Sequence, residues 1–358
     1  MPRPHSAAII EDAWHRQVAG AMRRRGWGTR VLAHTGYGSV DRVRVLGRVL
    51  MTRRPYAPAA ADARATWLEL RTADNERRGW RFFFATPASG EPVTVTIGEK
   101  EFRTRVDRSG ILDLTITGHD LEPGWHDLHI SSPRAADTTA AVFIVDPEET
   151  FGIVSDIDDT IITTTMPRPM IAAYNTFFRH EGTRRAVPGM ATMYRELLRE
   201  HPRAPIVYVS TGAWNAVPPL TRFLRRAGYP LGPMLMTDWG PTNTGWFRSG
   251  QDHKRACLHR LVRELPEVRW VLIGDDGQHD PSIYGEFAEQ RPDRVRAIGI
   301  RVLSATEQLL SHFTPIATDA YEQHVGVQLP ICHAADGYTM LEQMRQALGT
   351  TPSERSDA

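Results

Sequence analysis

A cluster of three carboxylates follows a continuous apolar segment near the middle of the chain. The apolar segment covers residues 151–155, and the acids are Asp156, Asp158 and Asp159. Three negative charges at this spacing repel one another at neutral pH, so such a cluster ordinarily needs a cation or bound protons. A hard divalent cation with oxygen ligands removes the repulsion and screens an incoming phosphate from a nucleophile. We therefore predict a Mg²⁺ site here.

A second acidic segment follows another apolar run. It begins at Gly274, which permits close approach of the backbone, and continues with Asp275, Asp276 and, after three residues, Asp280. Asp275 is predicted to ligate Mg²⁺ directly, and Asp280 to do so directly or through water. Asp276 either replaces one of these two ligands or is a solvated neighbour. His279 is interpreted as a loop residue, because Mg²⁺ prefers oxygen ligands.

Two further polar positions have ordinary explanations when each is taken alone. Ser210, followed by Thr211, ends the apolar run 205–209, where a serine is commonly a helix cap. Lys254 opens a predicted amphipathic helix at 253–265, where a lysine is commonly solvated. Each gains interest only from its position relative to the acidic segments.

The pattern of apolar residues predicts two kinds of structure. From Val43 to Val145, short alternating segments separated by turn residues are typical of an antiparallel sandwich or barrel. After Val145, continuous apolar runs alternate with amphipathic ones, as in a parallel α/β sheet. Strands are predicted near 151–155, 206–210, 234–236, 268–274 and 295–300, with helices at 190–200, 217–227 and 253–265 between them. Ligands of such sheets bind at the carboxyl ends of the strands, where the acids lie.

The length of the chain and a hinge-like segment near its middle predict two domains. The chain has 358 residues, and Asp146-Pro147-Glu148-Glu149 reads as a hinge. We expect an amino-terminal helix and a β-rich, sandwich-like accessory domain in residues 1–148. A catalytic α/β domain is expected in 149–349 and a disordered tail in 350–358. The alanine- and proline-rich stretch 56–65 is predicted to be a loop or linker.

Composition excludes several classes of protein. Lys and Arg (43) nearly balance Asp and Glu (42), so no nucleic-acid partner is implied by the total charge. The two cysteines, Cys257 and Cys332, are too few for a disulfide framework and suit a reducing compartment. No apolar run approaches the roughly 20 residues of a spanning helix. We predict a cytoplasmic protein; the sequence does not indicate its oligomeric state. Residues 9–22 form an amphipathic pattern before three arginines, which could lie on a membrane surface. Because Glu11, Asp12 and Gln17 dilute the basic face, we favour a helix packed on its own domain.

The residues after Phe151 resemble the haloacid-dehalogenase superfamily of phosphotransferases and, within it, the App1-like phosphatidate phosphatase family. The superfamily motifs cover about 151–300. The likeness rests on four segments: Phe-Gly-Ile-Val-Ser-Asp-Ile-Asp-Asp-Thr-Ile from Phe151, Ile-Val-Tyr-Val-Ser-Thr from Ile206, His253-Lys254-Arg255, and Leu-Ile-Gly-Asp-Asp-Gly-Gln-His-Asp-Pro-Ser-Ile-Tyr from Leu272. The resemblance implies a Rossmann-like parallel sheet and hydrolysis of a phosphomonoester with Mg²⁺.

The resemblance also assigns roles in the first acidic cluster. Asp156 becomes the nucleophile that forms an aspartyl-phosphate, and Asp158 the general acid and base, with its backbone carbonyl facing the metal. Strand-like spacing of two places both carboxyl groups on one side of the loop. An acid at the second position favours a phosphatase or mutase over a dehalogenase, because a carbon–halogen leaving group needs no proton. Asp159 and Thr160 are expected to support the loop and to orient Asp156.

The remaining implied roles concern the phosphate. Ser210 is expected to donate a hydrogen bond to a phosphate oxygen, with Thr211 as the weaker choice. Lys254 matches the cation that neutralises the phosphate in the transition state, with Arg255 as the alternative if the alignment shifts by one.

The substrate is the open part of this interpretation. The resemblance implies phosphatidate at a membrane surface, and the apolar segment 161–187, with Met170, Phe177 and Phe178, is either a lipid-facing flap or a helix docked on the core. Arg168 and Arg179 in this segment are candidate headgroup contacts. Two alternatives are a phosphatase of a soluble nucleotide or sugar phosphate and a non-catalytic scaffold protein that retains the fold.

Overall fold

The computed structural model describes residues 17–52, 86–163, 185–237, 250–277, 279–304, 307 and 329–349. The predicted helix at 9–22 is therefore described only from residue 17, where residues 17–24 are helical. The predictions for 56–65, for the apolar residues between 164 and 184, and for the tail 350–358 lie outside the described residues.

The chain divides into two compact units. The first comprises Met1–Pro147, Thr211–Thr221 and Leu231–His253, and the second comprises Glu148–Ser210, Arg222–Pro230 and Lys254–Ala358. The main boundary along the chain, between Pro147 and Glu148, falls within the segment that the sequence marks as a hinge.

The β-rich part of the first unit is one hydrogen-bonded sheet of seven strands in the order β4-β3-β6-β7-β1-β2-β5. One pair, β1 with β7, is parallel, and the others are antiparallel, so the expectation of a wholly antiparallel arrangement is wrong at this pair. The strands are β1 (Gly28–Ser39), β2 (Arg42–Thr52), β3 (Pro92–Ile97), β4 (Lys100–Arg105), β5 (Ile111–Thr117), β6 (Gly124–Ser131) and β7 (Thr138–Val145).

Alternation of side chains builds the core of this sheet. In β3, Val93, Val95 and Ile97 are buried while the residues between them are half-buried, as the period of two requires. Sequence reasoning missed β4, because a charged edge strand carries no apolar pattern. It also missed β1, whose glycines and polar residues hide the strand pattern.

A second sheet holds the five predicted α/β strands and one that was not predicted, β15, in the order β12-β11-β8-β13-β14-β15. The pairs from β11 to β15 are parallel, which confirms a sheet with parallel strands. Every residue of β8 is buried, as expected for a strand with parallel neighbours on both sides. The strands are β8 (Phe151–Asp156), β11 (Ile206–Ala213), β12 (Met234–Thr237), β13 (Arg269–Asp275), β14 (Val295–Arg301) and β15 (Ile331–Ala334); a separate two-residue pair comprises β9 (Ile162–Thr163) and β10 (Arg185–Ala186).

The described residues after β8 include the helices α1 (Met190–Glu200), α2 (Val217–Arg226), α3 (Gly250–Glu264), α4 (Asp280–Gln290) and α5 (Gly337–Leu348). The bounds of α1 agree with the prediction. Two predicted bounds were wrong by three residues: the strand β11 continues to Ala213, beyond Ser210, and the helix α3 begins at Gly250, before His253. Among the described residues, no helix combines the length and apolar character that a membrane span requires.

Candidate active site

The loop after β8 carries the first acidic cluster. Asp156 is the last residue of β8 and is buried, whereas Asp158 is half-buried. Asp159 has a φ of 58°, a left-handed conformation that is uncommon outside glycine. This turn redirects the chain immediately after the two acids, so Asp156 and Asp158 both remain at the carboxyl end of the strand.

The second acidic segment begins at the neighbouring strand end. Asp275 ends β13, and Asp280 begins α4. A side chain on Gly274 would place its Cβ 2.5 Å from Oδ2 of Asp280 and 2.8 Å from the ring of Tyr284. Glycine is therefore required at this position for the helix that carries Asp280 to pack against the strand.

Three carboxylates from these two segments converge. One oxygen each of Asp156, Asp275 and Asp280 lies within 4.8 Å of the others, and all three residues are buried. Among the described residues they form the one acidic or histidine group of this kind. Three mutually close carboxylates without solvent are costly unless positive charge or protons accompany them.

Several oxygens in this group have no hydrogen-bond partner. Both carboxylate oxygens of Asp275 and Oδ2 of Asp280 are buried without one. Buried polar atoms in folded proteins are nearly always paired, so three such atoms in one place require an explanation. All three are hard anionic oxygens, the ligand type that Mg²⁺ prefers. The donor set therefore fits a divalent cation.

Lys254 supplies positive charge to the same group. Its Nζ lies 2.6 Å from Oδ1 of Asp156 and 2.5 Å from Oδ1 of Asp280, and the side chain is buried. Because α3 begins at Gly250, Lys254 lies a full turn inside the helix instead of opening it. Its neighbour Arg255 pairs at the surface with Glu286 at 2.8 Å. Of the two cations considered from the sequence, Lys254 is thus the one that reaches the acids.

Burial and mutual repulsion alter the acidity of these groups. Burial raises the pKa of Asp156 to about 8; the charge of Lys254 opposes this shift, and the charges of Asp280 and Asp158 add to it. The pKa of Asp275 is raised well above its ordinary value, chiefly by burial and then by Asp280 and Asp156. Burial lowers the pKa of Lys254, but the three acids raise it by more, so the lysine stays charged. With all three carboxylates ionised, the group would carry more negative charge than one lysine neutralises, so without a further cation it retains protons.

Two hydroxyl groups contact the first acidic cluster. Ser210, fully buried on β11, donates a hydrogen bond from Oγ to Oδ2 of Asp158 at 2.9 Å. Thr160 donates from Oγ1 to Oδ2 of Asp156 at 3.2 Å. Thr211 is the next residue along β11 and is half-buried.

The other acids and the histidine have different surroundings. Asp276 accepts a hydrogen bond from the backbone N–H of Leu303 at 2.9 Å and donates its own N–H to the carbonyl of Arg301 at 3.0 Å. It therefore links the ends of β13 and β14 and is not part of the three-carboxylate group. His279 is exposed and precedes α4, consistent with a loop residue.

Sequence reasoning missed three residues that support the loop after β8, either directly or through a neighbouring side chain. Ser155 donates from Oγ to the backbone carbonyl of Asp156 at 2.7 Å, and its Oγ lies 2.7 Å from the hydroxyl of the buried Tyr194. Arg301, also buried, donates from Nη1 to the carbonyl of Asp159 at 2.6 Å. Arg301 could have been noticed in the sequence, because it is a charged residue directly after the predicted strand 295–300. Ser155 and Tyr194 could not, because they lie within an ordinary strand pattern and an ordinary helix pattern.

Comparisons with known proteins match the same part of the chain. Residues 151–302 match the family model described as the phosphatidate phosphatase APP1 catalytic domain. The phosphatidate phosphatase APP1 of Saccharomyces cerevisiae is 28% identical over 156 residues, which are 43% of this chain and 26% of that protein. An uncharacterised protein of Schizosaccharomyces pombe is 28% identical over 151 residues, 42% of this chain and 24% of that protein. The chain thus spans about a quarter of the length of these relatives.

Solved structures add little. A carbohydrate acetylesterase from Xanthomonas citri aligns over 78% of this chain and 70% of its own, with 9% identity and a TM-score of 0.25. A likeness this weak carries no argument about fold or function. The family match, in contrast, contains all of the acids, Ser210 and Lys254. Residues 151–302 of this chain are thus similar to the catalytic domain of the App1-like phosphatidate phosphatase family.

Proposed function

We propose that this chain is a Mg²⁺-dependent phosphomonoester hydrolase of the haloacid-dehalogenase type that works through an aspartyl-phosphate on Asp156. One observation carries the proposal: both carboxylate oxygens of the buried Asp275 lack partners, beside Asp156 and Asp280. A structural acid would be paired by protein donors, whereas an acid that binds a cation leaves its oxygens free of them. The proposed fold is a Rossmann-like catalytic domain from residue 149, preceded by a sandwich-like accessory domain.

The chain offers oxygen ligands from both acidic segments. The carboxylates of Asp156 and Asp275 would hold Mg²⁺ with the backbone carbonyl of Asp158, and Asp280 would join directly or through water. When bound, the cation neutralises the crowded carboxylates and polarises a phosphoryl oxygen. Lys254 already occupies one oxygen each of Asp156 and Asp280, so the lysine and the cation would share these carboxylates.

The first chemical step belongs to Asp156. Its ionised carboxylate attacks the phosphorus atom, an O–P bond forms, and the ester P–O bond breaks. Thr160 fixes the orientation of this carboxylate through Oδ2. Ser155 holds the backbone carbonyl of the same residue. The nucleophile is thus held at its side chain and at its backbone, as precise positioning for in-line attack demands.

Asp158 completes both half-reactions. Protonated Asp158 gives its proton to the leaving alkoxide oxygen, and the resulting carboxylate then takes a proton from water. The oxygen of that water attacks the phosphorus of the aspartyl-phosphate, which releases inorganic phosphate and regenerates Asp156. Ser210 donates to Oδ2 of Asp158 at 2.9 Å and so helps to fix the orientation of this carboxyl group.

Positive charge for the transferred phosphoryl group comes from Lys254. A compact ammonium among buried acids is suited to the negative charge that spreads over the equatorial oxygens. Ser210 and, more weakly, Thr211 are proposed to bind phosphate oxygens once substrate is present. Ser210 would then exchange or share its present partner, Asp158.

Phosphatidate is the substrate that the relatives support. The family description and the yeast relative both name phosphatidate phosphatase, and we extend that substrate to this chain as part of the proposal. We further propose action from the cytoplasm at a membrane surface; the two cysteines, both free and buried, are consistent with a reducing compartment. A soluble phosphomonoester remains the second candidate.

A turnover screen tests the proposal. Purified full-length chain is assayed with Mg²⁺ and with EDTA against phosphatidate, lysophosphatidate and soluble nucleotide and sugar phosphates. We expect Mg²⁺-dependent release of phosphate, loss of activity in Asp275→Asn, and retained metal dependence in Asp276→Asn, whose carboxylate holds Leu303 instead. Release of phosphate from no substrate would contradict the proposal and favour a scaffold protein.

A further inference from the structure

Arg301 joins three segments at the carboxyl ends of three strands. From the end of β14 its Nη1 donates to the carbonyl of Asp159 at 2.6 Å, in the loop after β8. Its Nη2 donates to Oε1 of Glu307 at 2.7 Å, and its Nε to the carbonyl of Ala335 at 3.3 Å, in the turn after β15. The residue is 5% exposed. Each of the three guanidinium nitrogens therefore donates a hydrogen bond.

The segment that Arg301 holds is conformationally unfavourable by itself. Asp159 adopts a φ of 58°, where the Cβ of any residue other than glycine is crowded, although aspartate tolerates it better than most. Such a conformation persists only when the surroundings enforce it. The hydrogen bond from Arg301 to the carbonyl of Asp159 is a charge-assisted one, among the stronger kinds.

This loop also carries the proposed ligands. Asp159 follows Asp158 directly, and the carboxylate of Asp156 is three residues before it. A change in the backbone at Asp159 moves the peptide between Asp158 and Asp159, whose carbonyl is a proposed ligand. Arg301 lies in register with Asp275 on the neighbouring strand, so it links the loop to the strand that carries the second acidic segment.

We propose that Arg301 is a positioning residue that holds the loop 156–160 in its cation-binding conformation. This inference rests on the proposed function, since it concerns the same divalent-cation site. Arg301 does not touch the three carboxylates; it acts through the backbone of Asp159. Glu307 is its anchor, because this carboxylate also accepts hydrogen bonds from the N–H and Oγ of Ser304 at 2.9 Å each and so fixes the guanidinium.

The three hydrogen bonds that the guanidinium of Arg301 donates cannot all be made by a lysine ammonium. Lysine at this position keeps one positive charge but offers one nitrogen where Arg301 uses three. Glutamine loses the charge as well. The inference therefore predicts a graded series in which the wild type binds the cation best, Arg301→Lys is intermediate and Arg301→Gln is weakest.

Direct binding of Mn²⁺ alone, measured by electron paramagnetic resonance on the full chain without substrate, tests this series. Residues that orient ligands typically change metal affinity about 10- to 100-fold when replaced, and we expect that range for Arg301→Gln. The matched control is Arg345→Gln, which removes an arginine that pairs with Glu200 at 2.6 Å and Glu196 at 3.1 Å between α5 and α1. This control is expected to lower thermal stability and to leave the dissociation constant for Mn²⁺ unchanged.

A second readout separates positioning from stability. In the assay with Mg²⁺, Arg301→Gln should need a higher Mg²⁺ concentration for half-maximal rate, while the KM for the phosphomonoester changes little. If Arg301→Gln fails to fold, Arg301→Lys provides the comparison. Unchanged affinity for Mn²⁺ in both Arg301 variants, or an equal loss in Arg345→Gln, would overturn the inference. A wild-type chain that binds Mn²⁺ but hydrolyses no phosphomonoester would overturn the proposed function and leave the binding comparison valid.

Discussion

The ammonium nitrogen of Lys254 lies 2.6 Å from Oδ1 of Asp156, the proposed nucleophile, and both side chains are buried. The same nitrogen contacts Asp280. One buried cation therefore holds carboxylates from the two acidic segments, which are more than a hundred residues apart in sequence. Lys254 therefore holds the two acidic segments together and, in the proposed reaction, neutralises the negative charge of the phosphoryl group.

Replacement of Lys254 should separate these two roles. In EDTA, Lys254→Met leaves buried acids without their cation, and the loss of one partner of a buried pair typically costs about 3–5 kcal/mol. Mg²⁺ should restore much of this stability but not turnover, because no ammonium then meets the phosphoryl oxygens. Urea unfolding with and without Mg²⁺, together with kcat, measures both effects.

The neighbouring arginine provides the control. Arg255→Gln removes a positive charge from the same helix but only from a surface pair with Glu286, which contributes little. It should retain near-normal stability and turnover. Full turnover by Lys254→Met, or a comparable loss in Arg255→Gln, would show that the lysine has been assigned the wrong role.

The acidity of Asp156 predicts an unusual dependence of stability on pH. Its pKa is about 8 in the folded chain and near 3.8 ordinarily, so between these values the folded state binds a proton that the unfolded state has lost. The free energy of unfolding without metal must then fall as pH rises through this window, by about 1.4 kcal/mol per pH unit for one proton. Asp275, whose pKa is also raised, adds a slope of the same sign. Lys254 does not oppose it, because its raised pKa matters only above about pH 10.

Thermal unfolding between pH 5 and pH 8.5 in EDTA measures this slope. We expect the melting temperature to fall with pH, the fall to be smaller in Asp156→Asn, and Mg²⁺ to stabilise more at pH 8 than at pH 5. A melting temperature without metal that rises over the same interval would contradict the electrostatic description of the site.

Much of this arrangement could be predicted from the sequence. The strands β8 and β13 appear as continuous apolar runs that end in acids, and parallel strands bring their carboxyl ends to one edge. Asp156, Asp275 and Asp280 were accordingly expected together, and the structure places one oxygen of each within 4.8 Å of the others. Lys254 was added by the family resemblance, and its Nζ lies 2.6 Å from Asp156 and 2.5 Å from Asp280.

Other features depend on tertiary contacts that leave no local pattern. The left-handed turn at Asp159 is held by Arg301, which is 142 positions away in sequence. The helix α4 begins with Asp280 and Pro281 inside a stretch that reads as an acidic loop, so its existence was missed. Ser210 was expected to face only phosphate, yet its hydroxyl binds Asp158, a pairing that requires β11 to lie beside β8.

The pairing of Ser210 with Asp158 gives a further prediction. Ser210→Ala should lower kcat, because Asp158 loses the donor that fixes its carboxylate; misplacement of a catalytic group costs up to about 100-fold. Ser210→Thr retains a hydroxyl and should recover part of the loss. Ser109→Ala, in the turn before β5, is the control and should behave as wild type. Wild-type kcat in Ser210→Ala would remove Ser210 from the mechanism.

The lipid part of the proposal is tested by the apolar residues of 161–187. If this segment contacts a membrane, Phe177→Ser and Phe178→Ser should weaken turnover of phosphatidate in vesicles but spare a small soluble phosphomonoester, since only the vesicle needs surface contact. Val40→Ser, which changes an exposed apolar residue of the first unit, is the matched control. Equal effects on vesicle and soluble substrates would leave phosphatidate supported by family resemblance alone.

The central claim is that the phosphoryl group is transferred to Asp156, and trapping that intermediate tests it most directly. Full-length chain with Mg²⁺ is mixed with substrate carrying a radiolabelled phosphate and quenched in acid within milliseconds, and the labelled peptide is then sequenced. The account predicts label on the peptide that contains Asp156, release of the label by hydroxylamine as expected for an acyl phosphate, and loss of both label and turnover, by several orders of magnitude, in a folded Asp156→Asn protein. Asp293→Asn, at an exposed acid that pairs with Arg294, should label like wild type. Rapid turnover without labelled protein, or substantial turnover by folded Asp156→Asn, would contradict the account.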